Sequence, residues 1–121
     1  MRKSEITIQL IELSIWAKQL GFPQKVEVGD WYEINGKPVL CNYAHGTLRG
    51  FKPEEHSLIL SFPNCLSWLE DNNRGEMIGL DLNNFIHGHW IMGIKTKTYR
   101  GKNIHEVGAK AVVMKLEEKN A

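Results

Sequence analysis

The densest concentration of usable chemistry is Lys95-Thr96-Lys97-Thr98-Tyr99-Arg100-Gly101-Lys102, which holds four of the chain's fifteen basic residues and no acid. In an extended chain Lys95, Lys97 and Tyr99 share one face, and Thr96, Thr98 and Arg100 share the other. Cations neutralise phosphate and aromatic rings stack on bases. Lys97, Tyr99, Arg100 and Lys102, with Trp90 as a second stacking ring, are therefore the candidate ligand-binding set. Arg100 leads it, because a guanidinium can hold two phosphate oxygens at once. The segment runs into the start of a C-terminal helix, whose free N–H groups and dipole favour an anion. Gly101 there permits close backbone approach. The plainer alternative is an edge strand whose lysines discourage aggregation.

Histidine and cysteine supply weaker signals. His87-Gly88-His89 is the one metal-like spacing; two imidazoles two apart on a strand project to one face, with Asp81 a conceivable third ligand. Polar, solvated histidines at a strand junction are the commoner outcome, and no metal is assigned. Cys41 with His45 has the residue types of a nucleophile and its base, against the more usual fate of cysteine as a small buried thiol. The chain has no P-loop, G-x-G-x-x-G, H-E-x-x-H, G-x-S-x-G or paired C-x-x-C pattern, so nothing specific points to a reaction. No catalytic residue and no cofactor are expected. Trp31, Trp90, Tyr32, Tyr43 and Tyr99 could line a groove, whereas Trp16, at the edge of its helix stripe, and Trp68 read as core or helix–sheet packing.

Regular elements must position these groups. Ile6, Leu10, Leu13, Ala17 and Leu20 recur at helical spacing, widened by Ile8, Ile11 and Ile15, and predict a helix over Ser4–Leu20. Ser4 is its expected N-cap, and Gly21 with Phe22-Pro23 its stop. Trp31–Ile34 and Lys37–Cys41 flank Asn35-Gly36, the pairing that best tolerates a type I′ hairpin turn, with Pro38 where no ladder bond is needed. Residues 42–56 read as loop and Leu58–Phe62 as a short strand or an extended entry. Pro63 opens a short helix to about Asp71. Strands follow around Ile78–Leu82, His89–Lys95 and Thr96–Tyr99. Asn103 and Glu106 form a capping-box pattern before a helix over Ile104–Lys119. Gly108 inside that helix implies close packing. The expected fold is α+β: a small antiparallel sheet covered on one face by the N- and C-terminal helices plus a short middle helix.

At 121 residues the chain makes one domain, 1–121. Its hydrophobic share of 42% and charged share of 24% exclude a disordered tail. The formal charge of +1 gives no global field toward nucleic acid or membrane. No apolar run approaches the roughly 18 residues of a bilayer span, and Gln9, Glu12 and Ser14 interrupt the stretch a signal peptide would need. Two cysteines are too few for a disulfide scaffold, so a reduced, cytoplasmic protein is expected.

Three segments stand out together: Ile15-Trp16-Ala17-Lys18-Gln19-Leu20-Gly21-Phe22 followed by Trp31-Tyr32-Glu33-Ile34-Asn35-Gly36, then Pro63-Asn64-Cys65-Leu66-Ser67-Trp68-Leu69-Glu70, then Gly101-Lys102-Asn103-Ile104-His105-Glu106 with Lys110-Ala111-Val112-Val113-Met114-Lys115-Leu116-Glu117-Glu118-Lys119. In this order they resemble short proteins encoded in phages and prophages of Gram-positive bacteria. Together they cover about half of the chain. The resemblance implies a role class and no catalytic residue: a non-catalytic counter-defence factor that binds a host defence protein or sequesters a phosphate-bearing nucleotide signal. A small nucleotide- or nucleic-acid-processing enzyme using His87, His89 or His45 is the alternative from another class. A structural or accessory oligomer, with a second copy as partner, is the third.

Overall fold

A computed structural model describes residues 1–44, 47–48, 51–72, 78–86, 89–94 and 97–120, with side chains at all of these except 43–44, 47–48, 78–86 and 89. A single 3-10 turn, Lys3–Glu5, precedes helix α1, Ile8–Gln19. The N-cap is Thr7, three residues after the expected Ser4: the Thr7 hydroxyl accepts from the Leu10 amide at 3.0 Å. Both hydroxyl residues can cap a helix, and a distant partner of Thr7, described below, decides between them. Leu10, Ile11, Leu13 and Ala17 are buried as the periodicity requires, whereas Ile8 lies off the stripe and is 78% exposed. Gly21, at φ +103°, ends the helix region.

Strand β1 (Trp31–Ile34) and β2 (Lys37–Leu40) form the expected hairpin, with Asn35 at φ +52° and Gly36 at +80°. Both central residues lie at positive φ, as a type I′ turn demands. Glu33 closes it, its carboxyl accepting from the Gly36 amide at 3.0 Å. The segment read as loop contains a two-residue pair, β3 (Tyr43–Ala44) with β4 (Thr47–Leu48). Strand β5 (Ser57–Ile59) pairs antiparallel with β1, and helix α2 spans Phe62–Asn72. Then come β6 (Ile78–Ile86), β7 (His89–Ile94), β8 (Lys97–Gly101) and helix α3 (Ile104–Lys119), whose bounds match the sequence expectation.

The class is α+β, with the strands divided into two three-stranded antiparallel sheets, β2-β1-β5 and β6-β7-β8, beside the small β3-β4 pair. Helix α1 packs on β5 of the first sheet and α3 on β7 and β8 of the second; α3 also packs against both α1 and α2. So α3 is the central beam. Val107, Ala109, Ala111, Val112 and Val113 are at most 1% exposed. A helix apolar nearly all round is one covered nearly all round, and fully burying each valine contributes about 1.5–3 kcal/mol. The expected single sheet becomes two, each with its own helix: α1 packs on β5 of the first, and α3 on β7 and β8 of the second. Gly108 explains how α2 comes so close: a Cβ there would stand 2.9 Å from Cys65 Cβ. No helix among the described residues is long and apolar enough to cross a membrane.

Candidate binding surface

Strand β8 is an edge, because the sheet order is β6-β7-β8. Its register with β7 pairs Ile94 with Lys97, Gly93 with Thr98, Met92 with Tyr99, Ile91 with Arg100 and Trp90 with Gly101. Two residues separate Ile94 from Lys97, and the residues closing such a connection form a mutually hydrogen-bonded pair. Bonded and non-bonded pairs then alternate, so the Lys97, Tyr99 and Gly101 backbones point to β7. The N–H and C=O groups of Thr98 and Arg100 point outward. One contact agrees directly: the Lys110 ammonium, arriving from α3, donates to the Arg100 carbonyl at 2.5 Å.

The edges of the first sheet are covered to different degrees. On β5, the Leu58 amide donates to the Gln24 side chain at 2.9 Å; just past its end, the Leu60 amide donates to the Ser14 hydroxyl at 3.0 Å. On β2, the outward positions are Pro38, which has no N–H, and Leu40, whose N–H and C=O point outward by the same alternation. An edge covered as β5 is resists pairing with another chain. On β8, among the described residues, the outward Arg100 carbonyl is engaged by a flexible lysine and no other outward group is.

Side chains divide across the strand. Tyr99 lies opposite Met92, which is fully buried under α3, so Lys97 and Tyr99 face the helix while Thr98 and Arg100 face away. Between β8 and α3 runs an open groove of about 540 Å³ lined by Lys97, Thr98, Tyr99, Met114, Glu117 and Glu118. Lys97 is ion-paired with Glu118, which Lys115 also approaches at 4.0 Å. Burial pushes the Tyr99 phenol up from its ordinary value, with Lys97 opposing and Glu118 adding to the shift. Arg100 and Lys102 are exposed, and neither is ion-paired among the described residues. Trp90 is half-buried and packed against the core.

The expected set is thus contiguous in sequence but two-sided in space, with Arg100 and Tyr99 on opposite faces. The start of α3 has its own occupants. Asn103 Oδ1 accepts from the Glu106 amide at 3.0 Å, and the fully buried Glu106 carboxyl turns inward. It accepts from the Thr7 hydroxyl at 2.7 Å and from the Lys102 amide at 3.5 Å. This is half of a capping box, whose second half crosses to α1. Gly101 does permit close approach, but to α3 itself: a Cβ would lie 2.8 Å from Glu106 Cβ and 2.9 Å from the Val107 nitrogen.

The buried titratable groups serve the fold. His105 Nδ1 accepts from the Phe62 amide at 2.8 Å, which leaves Nε2 to donate to Glu5 at 3.1 Å. Burial holds the His105 imidazole below its ordinary pKa, against the pull of Glu5. Glu5 is itself lowered, first by the Arg2 backbone N–H and then by His105, with burial opposing. His56 Nδ1 accepts from the Lys52 amide at 3.0 Å, and its ring lies 5.4 Å from that of Tyr32. Sequence reasoning passed over His105 and His56, since nothing local marks them. Cys41 and Cys65 are free thiols, both buried. Burial raises each away from thiolate, with Asp30 adding to the effect at Cys41. His45, His87 and the side chain of His89 lie outside what is described, and so does Asp81's; among the described residues no three metal-ligating side chains cluster. No protein-family model matches this chain, and no curated protein or solved structure is detectably similar to it.

Proposed function

We propose that this chain is a non-catalytic binding protein that engages a protein partner through β8 and the adjoining stripe of α3. The observation carrying this reading is β8 itself, which presents outward backbone groups beside an open groove and two exposed cations, whereas the β5 edge is covered by the Gln24 and Ser14 side chains. A protein partner suits this arrangement better than a nucleotide, because Arg100 lies on the face opposite the Tyr99 ring, Lys97 on the ring's face is ion-paired with Glu118, and Glu106 fills the helix start. The use of His105, His56 and Glu106 as structural partners further supports binding over turnover. The resemblance of three segments to small phage proteins supports a host partner met in the cytoplasm, as in counter-defence. Two free thiols suit that compartment.

A photocrosslinking residue at Thr98, irradiated in a Gram-positive host lysate, should join the chain to a discrete protein. Arg100→Ala with Lys102→Ala should cut that yield at least about tenfold, each lost charged hydrogen bond weakening binding by about 1.5–3 kcal/mol. Melting should be unchanged. Crosslinking indifferent to both substitutions overturns the reading. So does Arg100-dependent calorimetric binding of cyclic dinucleotides or short DNA without any protein adduct, or metal-dependent turnover of either.

A further inference from the structure

We infer that β8 is completed by an extended acidic peptide segment of the partner, added as a fourth strand whose alternate residues fill the groove over Tyr99 and Met114. The inference rests on the proposed binding role and names the chemistry of what is bound. Three independent features specify the occupant.

The first is the backbone. Outward N–H and C=O groups at Thr98 and the outward N–H at Arg100 are a ladder half made. Lys110 now donates to the Arg100 carbonyl, where a partner N–H would stand. The lysine can yield, since a carbonyl oxygen has two lone pairs and the ammonium sits on a flexible stem.

The second is the groove. Residues of an added strand that lie opposite Lys97, Tyr99 and Gly101 point to the α3 side. There they meet Tyr99, Met114 and the Lys97–Glu118 pair. Because that ion pair is already satisfied within the chain, the groove favours apolar side chains. The third is charge. Residues opposite Thr98 and Arg100 point to the other face, where Arg100 is exposed with Lys102 just beyond the strand. Glutamate or aspartate at those positions is the complement. A second copy of this chain is disfavoured as occupant, because β8 would bring its own cations against Arg100.

The geometry also says which peptide amides matter. With the added strand antiparallel to β8, a residue opposite Arg100 shares its side-chain face and aims its own N–H at β8, so the acidic residues make the ladder bonds and the apolar ones aim theirs away. The probe is a synthetic peptide of about seven residues alternating glutamate with valine, a usual strand length. It should bind and slow hydrogen exchange at the Thr98 and Arg100 amides. N-methylation of its glutamates should weaken binding about tenfold or more, as loss of ladder bonds requires, while N-methylation of its valines should leave affinity within about twofold. Thr98→Pro should also abolish binding without costing a β7 bond, because that N–H points outward. Equal sensitivity to both methylation patterns overturns the inference, as does equal binding of a lysine–valine peptide. Dimerisation of the free chain that Thr98→Pro abolishes also overturns it, in favour of a second copy. Should the peptide fail to bind while Arg100→Ala still releases the host partner, strand addition is refuted and the binding surface stands.

Discussion

At the scale of single residues, the side chains that matter most join parts of the chain far apart in sequence. Thr7 caps α1 with one lone pair and donates its proton to Glu106, 99 positions on. Thr7→Val should therefore lose a cap and leave a fully buried carboxyl without its best donor. The expected cost is about 2–4 kcal/mol, the sum of a lost cap and a lost buried hydrogen bond. Thr7→Ser should retain most of the stability; equal melting temperatures for the two variants would contradict the assigned pairing. Ser4 and Thr7 are equally plausible caps to a local reading, and only the fold brings Glu106 to one of them. For the same reason His105 and Ser14 passed unnoticed, since each is defined by a backbone amide in another element. What was legible locally was backbone chemistry: Asn35-Gly36 at the turn, Pro38 on an edge and Asn103 as cap.

At the scale of elements, α3 sets the limits. Gly108 lies where α2 crosses it, with Cys65 Cβ and Sγ at 2.9 and 3.3 Å from the position of an added Cβ. Alanine is favoured over glycine inside a helix by about 1 kcal/mol, yet overpacking of this kind costs about 1–3 kcal/mol. Gly108→Ala should therefore destabilise by about 1 kcal/mol, read in urea melts. Stabilisation would mean that α2 and α3 are not in this contact. The periodicity predicted both long helices and the interior glycine's close packing. It could not reveal two sheets in place of one, because strand pairing follows which helix each sheet packs against, α1 for the first and α3 for the second, and not any single strand's pattern. The candidate set shows the same limit: alternation placed Lys97 and Tyr99 on one face and Arg100 on the other, but only the sheet order makes β8 an edge.

At the scale of the whole molecule, His105 ties the N-terminal turn, α2 and α3 together in its neutral form, since Nδ1 must accept from Phe62. Its folded pKa lies below the ordinary 6.5. The folded state therefore binds fewer protons than the unfolded chain between those values. Stability is full above pH 6.5 and falls as pH drops through the depressed folded pKa. Glu5, lowered from 4.5, adds a second loss in the same direction at more acidic pH. His105→Gln should reduce stability at neutral pH and flatten the decline just below pH 6.5; an unchanged decline would locate the proton uptake elsewhere. The larger claim is that the β8 edge is left open for a partner to pair with. Site-resolved amide hydrogen exchange of the free protein tests it most directly. The account predicts that Thr98 and Arg100 exchange at least about a hundredfold faster than Tyr99 and Gly101, because local exposure and ladder bonding differ between them. Comparable protection at all four amides would mean that β8 is already paired, and would contradict it.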